Sequence, residues 1–189
     1  KTSELRLSLK LIADVALVGL PNAGKSTFLS AISSAQPRIA EYPFTTLVPA
    51  LGVVTSDDHR FVVADIPGLI EGASHGAGLG DRFLRHIERT RVLVHLIDAG
   101  NAFLEERSVI EEFETIRNEI SSYDPNLTER IQWIVLNKVD LVADRTQLNE
   151  VQSQLEDLGV QVIRTSGVTR EGLDELIKKL SRFLLKRSA

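Results

Sequence analysis

Along this chain, short runs of consecutive apolar residues alternate with longer stretches in which apolar positions recur every three or four residues. The runs read as strands buried on both faces, and the longer stretches read as amphipathic helices. Strands are expected at residues 13–18, 50–55, 60–66, 91–97, 131–136 and 160–164. Only Ser56-Asp57-Asp58-His59 separates the second from the third. That turn is too short for a crossover, so the pair must be antiparallel. Helices are expected over roughly 25–33, 81–89, 103–122, 145–157 and 171–186, and Ile110, Phe113, Ile116 and Ile120 share one helical face. Strand and helix in alternation predict an α/β fold: a doubly wound, mostly parallel, six-stranded sheet with one antiparallel strand and helices on both faces. In such sheets ligands sit at the carboxyl ends of the strands.

Composition narrows the class. A length of 189 residues suits one domain with a core of its own. There is no Cys, which excludes disulfides and thiolate metal sites. No apolar run reaches the roughly 18 to 20 residues of a membrane helix, and nothing before the first strand reads as a signal peptide. A cytoplasmic protein is expected. The net charge of −4 argues against a domain coated in positive charge for nucleic acid. Arg82, Arg85, Arg89 and Arg91 still lie close enough to form a local basic face. Met is absent, position 1 included, so a processed or excised chain is expected. The glycine-rich stretch 72–80 is expected to be mobile.

The loop after the first strand carries the strongest chemical signal. Gly19-Leu20-Pro21-Asn22-Ala23-Gly24-Lys25-Ser26 matches the phosphate-binding loop of P-loop NTPases, and it stands between a strand and a helix as that loop must. Its glycines let backbone N–H groups turn inward, and the helix N-terminus adds positive potential. Lys25 can reach the β- and γ-phosphates, and the Ser26 hydroxyl can ligate Mg²⁺. A second signal follows the strand at 131–136. In Asn137-Lys138-Val139-Asp140, the Asp140 carboxylate can accept from the ring N–H and the exocyclic amino group of guanine. Adenine offers no such pair of donors, so the motif selects guanine. The Lys138 stem can cover a face of the base, and Asn137 can tie this loop to the phosphate loop. Thr165-Ser166-Gly167-Val168, after the last strand, can offer N–H groups to the guanine oxygen.

Two further segments read as nucleotide-sensing loops. Asp65-Ile66-Pro67-Gly68 ends the third strand, where Asp65 can hold Mg²⁺ through water and the Gly68 N–H can approach the γ-phosphate. Tyr42-Pro43-Phe44-Thr45-Thr46-Leu47-Val48-Pro49 offers two adjacent threonines, either of which can complete the metal shell while the γ-phosphate is present. Leu69 occupies the place where Ras-type enzymes carry a water-orienting glutamine, and it cannot hold water by hydrogen bonding. Intrinsic GTP turnover is therefore expected to be slow. His75 is a weak candidate base. Asn22 is a candidate ligand for K⁺ beside the phosphates.

The whole pattern resembles the G domain of the Obg family of ribosome-associated GTPases. The resemblance rests on Leu7 to Val15, Gly19 to Thr27, Phe44 to Pro49, Asp65 to Ser74, Gly78-Leu79-Gly80, Phe83 to Thr90, Asn137 to Asp140 and Thr169 to Leu176. It implies an Obg-type G domain over residues 1–189, without the glycine-rich N-terminal domain or variable C-terminal domain of family members. It implies Ser26, Thr46 and Asp65 at Mg²⁺, with Lys25, Thr46 and Gly68 carrying the hydrolytic chemistry. Nucleotide contacts are implied for Phe44 to Val48 and Ser166 to Val168 as well. The implied function is a Mg²⁺-dependent switch that hydrolyses GTP slowly in large ribosomal subunit assembly and binds GTP, GDP and (p)ppGpp. The alternative is a GTP/GDP-sensing module with negligible hydrolysis that regulates stress or growth. Implied partners are the large ribosomal subunit or its rRNA, and a monomer is expected. Ala50 and Gly167 depart from the family's usual residues.

Overall fold

The computed structural model describes residues 13–39, 48–57, 59–66 and 87–186. Within them the strands are β1 (Val15–Val18), β2 (Arg38–Ile39), β3 (Ala50–Ser56), β4 (His59–Asp65), β5 (Val92–Asp98), β6 (Ile131–Asn137) and β7 (Gln161–Arg164). The helices are α1 (Lys25–Ile32), α2 (Ala99–Leu104), α3 (Val109–Tyr123), α4 (Pro125–Thr128), α5 (Arg145–Asp157) and α6 (Leu173–Lys186), with a 3-10 turn at Val139–Leu141.

The strands form one sheet in the order β2-β3-β4-β1-β5-β6-β7. β1 lies parallel to both β4 and β5, and the parallel ladder continues through β6 to β7. β3 alone runs against the rest, antiparallel to β4 and to β2. The expected α/β class and single antiparallel strand hold. The strand count is seven rather than six, because Arg38–Ile39 adds a two-residue edge strand too short to leave a periodic signal.

Alternating side chains of the central strands feed two cores, one on each face. Ala16 and Val18 face Phe113, Ile116 and Ile120 of α3 and Leu148 and Leu155 of α5. Val15 and Leu17 face Phe28, Leu29 and Ile32 of α1 and Leu173, Leu176, Leu180 and Leu184 of α6. Each fully buried leucine contributes about 1.5–3 kcal/mol of transfer free energy, so α6 is held by its leucine stripe rather than by the Lys179–Glu175 pair on its surface.

The single helix expected over 103–122 is two. α2 begins where the Asp98 carboxylate accepts from the Asn101 N–H at 2.9 Å, and it ends at Leu104. The chain turns through Glu106, at φ 53°, and α3 restarts where Ser108 Oγ accepts from the Glu111 N–H at 3.1 Å. Two capping side chains ten residues apart cut the periodicity that the sequence pattern joined. The expected helix at 81–89 falls mostly outside the described residues, as do the stretch 72–80, His75 and Leu69.

From β1 the sheet grows outward on both sides, so the strand order reverses next to β1. The carboxyl ends of β1, β4 and β5 border that point, where doubly wound sheets bind ligands.

Candidate functional site

The loop Gly19–Gly24 leaves β1 and delivers Lys25 as the first residue of α1. Two glycines are required by shape. A Cβ on Gly19 would run into the Leu96 carbonyl oxygen. Gly24 has φ 89°, and a Cβ there would stand 2.7 Å from Asn137 Nδ2. Lys25 folds back over the loop, and its ammonium donates to the carbonyls of Gly19 (3.0 Å) and Leu20 (3.1 Å). Burial lowers its pKa, and the negative charges of Asp65 and Glu112 oppose that shift. A half-buried cation in a ring of backbone dipoles is suited to meeting a polyphosphate.

Ser26, on the next turn of space, donates its hydroxyl to Asp65 Oδ2 at 2.6 Å across 39 residues of sequence. Asp65 ends β4 and is buried. Its other oxygen, Oδ1, has no hydrogen-bond partner among the described residues. A hydroxyl beside a buried carboxylate with a free lone pair is a hard-oxygen set that fits Mg²⁺. Among the described residues no cluster of three or more His, Cys, Asp or Glu could hold a metal.

Asn137, the last residue of β6, joins three loops. Its Nδ2 donates to the Ala23 carbonyl at 2.9 Å, and its Oδ1 accepts from Thr165 Oγ1 at 3.2 Å, both in buried surroundings. Lys138 follows in the left-handed conformation at φ 58°. Its ammonium donates to the Asn22 carbonyl (2.9 Å) and to Asp98 Oδ2 (2.6 Å). The Val139 N–H donates to the Thr165 carbonyl at 3.2 Å, which fixes the next turn. Asp140 is exposed in that turn. Ser166 is buried, and its hydroxyl accepts from the Val168 and Thr169 N–H groups at 3.2 and 3.0 Å. Gly167 lies against α1, where an added Cβ would meet Thr27 Cγ2 at the ordinary contact distance of 3.5 Å.

The geometry thus gathers Gly19 to Thr27, Asp65, Ile66, Asn137 to Asp140 and Ser166 to Val168 at one edge of the sheet. Pro21 and Asn22 are exposed, as are Thr27 and Val168, while Ala23 and Ile66 are buried. Val48 stands 38% exposed just ahead of β3. Phe44, Thr45, Thr46, Leu47, Pro67 and Gly68 lie outside the described residues. So do Arg82 and Arg85. Arg91 is engaged with Asp14 at 3.5 Å and with the Leu184 carbonyl.

Three residues of this region escape pattern reading. Asp98 lies one position beyond the strand expected at 91–97. Its signal is an acidic residue at the carboxyl end of a parallel strand, the same signal Asp65 gives. Thr165 opens the turn Thr165 to Val168, whose expected role rests on backbone N–H groups and gives its hydroxyl none. His95 sits inside β5, fully buried on the ring of Phe113 at 6.2 Å, and nothing in an apolar run marks it.

A turn with the P-loop pattern after β1, a hydroxyl–carboxylate pair beside it and the Asn137–Asp140 turn bonded to it sit on the fold of a P-loop GTPase domain. Residues 14–138 match the model of a family described as 50S ribosome-binding GTPase. The GTPase Obg of Syntrophobacter fumaroxidans is 57% identical over 182 residues, 96% of this chain and 52% of that protein. The GTPase Obg of Persephonella marina is 50% identical over 185 residues, 97% of this chain and 54% of that protein. The chain therefore belongs to the 50S ribosome-binding GTPase family, in its Obg branch. It spans about half the length of these curated relatives.

Solved structures agree on the fold. Era of Aquifex aeolicus bound to GDP·AlF4⁻ superposes with a TM-score of 0.68 at 23% identity, over 90% of this chain and 56% of that one. The G domain of the T. maritima FeoB iron transporter gives 0.61 at 21% identity, over 89% of this chain and 96% of that one. No helix among the described residues is long and apolar enough to cross a membrane.

Proposed function

We propose that this chain is the Mg²⁺-dependent G domain of a switch protein that binds GTP and GDP, hydrolyses GTP slowly and acts in large ribosomal subunit assembly. One observation carries the reading. The side chain of Asn137 bonds the base-reading turn to the carbonyl of Ala23 in the phosphate loop at 2.9 Å. A buried hydrogen bond thereby holds two motifs 114 residues apart in sequence side by side, which supports reading them as one binding surface.

In this reading Lys25 and the N–H groups of Gly19 to Ser26 hold the phosphates, with Thr27 alongside. Ser26, Asp65 and Thr46 would hold Mg²⁺, which would supply positive charge against the phosphates. Gly68, with Ile66 and Pro67 before it, senses the γ-phosphate, and Phe44 to Val48 form the other nucleotide-dependent loop. Asp140 reads guanine, Lys138 covers its face, and Ser166 to Val168 close the pocket over its oxygen. Charge neutralisation by Lys25 and the loop dipoles lowers the barrier to attack by water. Leu69 orients no water, so unassisted turnover is slow. Asn22 is exposed at the rim, at φ 64°, in a place where K⁺ could add positive charge. The remaining half of the full-length relatives would supply ribosome contacts, and the domain itself is proposed to be monomeric and cytoplasmic. (p)ppGpp shares the guanine and phosphate groups that this site addresses.

Competition of unlabelled nucleotides against fluorescent GDP, with Mg²⁺, tests the reading. GDP and GTP are expected to displace the probe at concentrations about a thousandfold below those of ADP and ATP, because adenine leaves a polar site unpaired. Comparable displacement by ATP would overturn it.

A further inference from the structure

Asp98 is a carboxylate with little access to water and three donors converging on it. Its side chain is only 8% exposed. Oδ1 accepts the Asn101 N–H at 2.9 Å, while Oδ2 accepts both Asn101 Nδ2 and Lys138 Nζ at 2.6 Å. The first two contacts begin α2. The third reaches across 40 residues to the base-reading loop, and helix capping does not require it. A charge this buried demands an opposite charge, and Lys138 supplies it at a distance typical of the strongest charge-assisted hydrogen bonds. The same ammonium donates to the Asn22 carbonyl at 2.9 Å. Its position is therefore fixed from two sides, by the end of β5 and by the phosphate loop.

The consequence falls on the Lys138 stem. Its backbone is set by the left-handed turn at φ 58° and by the Val139–Thr165 bond. Its tip is set by Asp98 and Asn22. A four-carbon chain pinned at both ends keeps few of the rotamers that a free lysine explores. The geometry points to Asp98 as a positioning residue for guanine recognition, holding the Lys138 stem as a preformed wall for one face of the base. It touches no nucleotide itself. This rests on the function proposed above and adds the residue that preorganises its base pocket.

Asp98→Asn separates positioning from capping. Asparagine is as good an N-cap as aspartate, so the Asn101 N–H keeps its acceptor. With the carbonyl oxygen kept on the Asn101 N–H, the amide NH2 takes the place of Oδ2, and an NH2 group cannot accept from Lys138. Affinities for GDP and for inorganic pyrophosphate are measured by calorimetry on wild type, D98N, K138M and the double variant, with melting temperature as the control for folding. D98N is expected to weaken GDP about tenfold, equivalent to about 1.4 kcal/mol, to leave pyrophosphate affinity unchanged, and to cause no further loss once Lys138 is replaced. Equal GDP losses in the Lys138 and K138M backgrounds would overturn the inference, since Asp98 would then act without Lys138. Unchanged GDP affinity in D98N, or a matching loss of pyrophosphate, would overturn it too. Failure of the wild-type chain to bind GDP would be a different result, striking the functional reading itself.

Discussion

His95 stands in the middle of β5 with both ring nitrogens buried and without hydrogen-bond partners among the described residues. Burial, reinforced by the positive charge of Lys25, drops its pKa from 6.5 to about 3. The ring is therefore neutral in the folded protein across the working range. Its folded pKa is depressed, so below pH 6.5 the unfolded chain takes up a proton that the native chain refuses. Stability then falls with acidification at up to roughly 1.4 kcal/mol per pH unit, from pH 6.5 down to about pH 3. Above pH 6.5 this group contributes no slope. His95→Leu removes the term, and two unsatisfied nitrogens with it. Urea unfolding at pH 7 and pH 5 should show the variant at least as stable as wild type at pH 7, with a smaller loss on going to pH 5. Equal losses in both proteins would show that the ring is protonated or paired in the native state.

Residue identities at this site were legible unevenly, for physical reasons. Lys25, Ser26, Asn137, Lys138 and Asp140 stand in short motifs of recognisable spacing, and the fold brings their loops to one edge. Asp98 and Thr165 have no such spacing. Their roles arise from partners 40 and 28 residues away, Lys138 and Asn137. Only the register of neighbouring parallel strands creates those pairs.

At the scale of elements, periodicity located the long pieces well because burial produces it. α5 spans Arg145–Asp157, as expected from its apolar spacing. What periodicity could not show was interruption. Residues 103–122 keep helical spacing through the break at Glu105 to Ser108 because both α2 and α3 pack on the same core face. The break depends on side-chain caps instead. Ser108→Ala removes the acceptor for the Glu111 N–H and is expected to cost about 1 kcal/mol. For a domain of this size, that lowers the melting temperature by about 2–4 °C. Ser108→Asp, which restores an acceptor and adds favourable charge at the helix start, should recover it. A melting temperature unmoved by the alanine would mean that the cap does not set the start of α3.

For the whole molecule, the order of strands is the property that makes a site, and it is the one least visible in one dimension. Apolar runs announce strands buried on both faces but do not say which lies beside which. The β3–β4 pair was legible because a short turn allows only one connection. The placement of β1 between β4 and β5 was not, and it is this placement that sets Ser26 against Asp65 and the phosphate loop against Asn137. Loops 114 residues apart thereby share one rim. The sheet holds that rim rigid through two faces of packed apolar side chains.

The central claim is that the turn after β6 reads the base of the same nucleotide whose phosphates the turn after β1 holds. Asp140→Asn tests it most directly, through the ratio of affinities for GDP and xanthosine diphosphate in wild type and variant. Xanthine carries a carbonyl where guanine carries its amino group, so an amide in place of the carboxylate should reverse the preference. The account predicts that wild type favours GDP and the variant favours the xanthine nucleotide, with Mg²⁺ dependence retained in both. A variant that still prefers GDP by the wild-type margin would place the base elsewhere and contradict it.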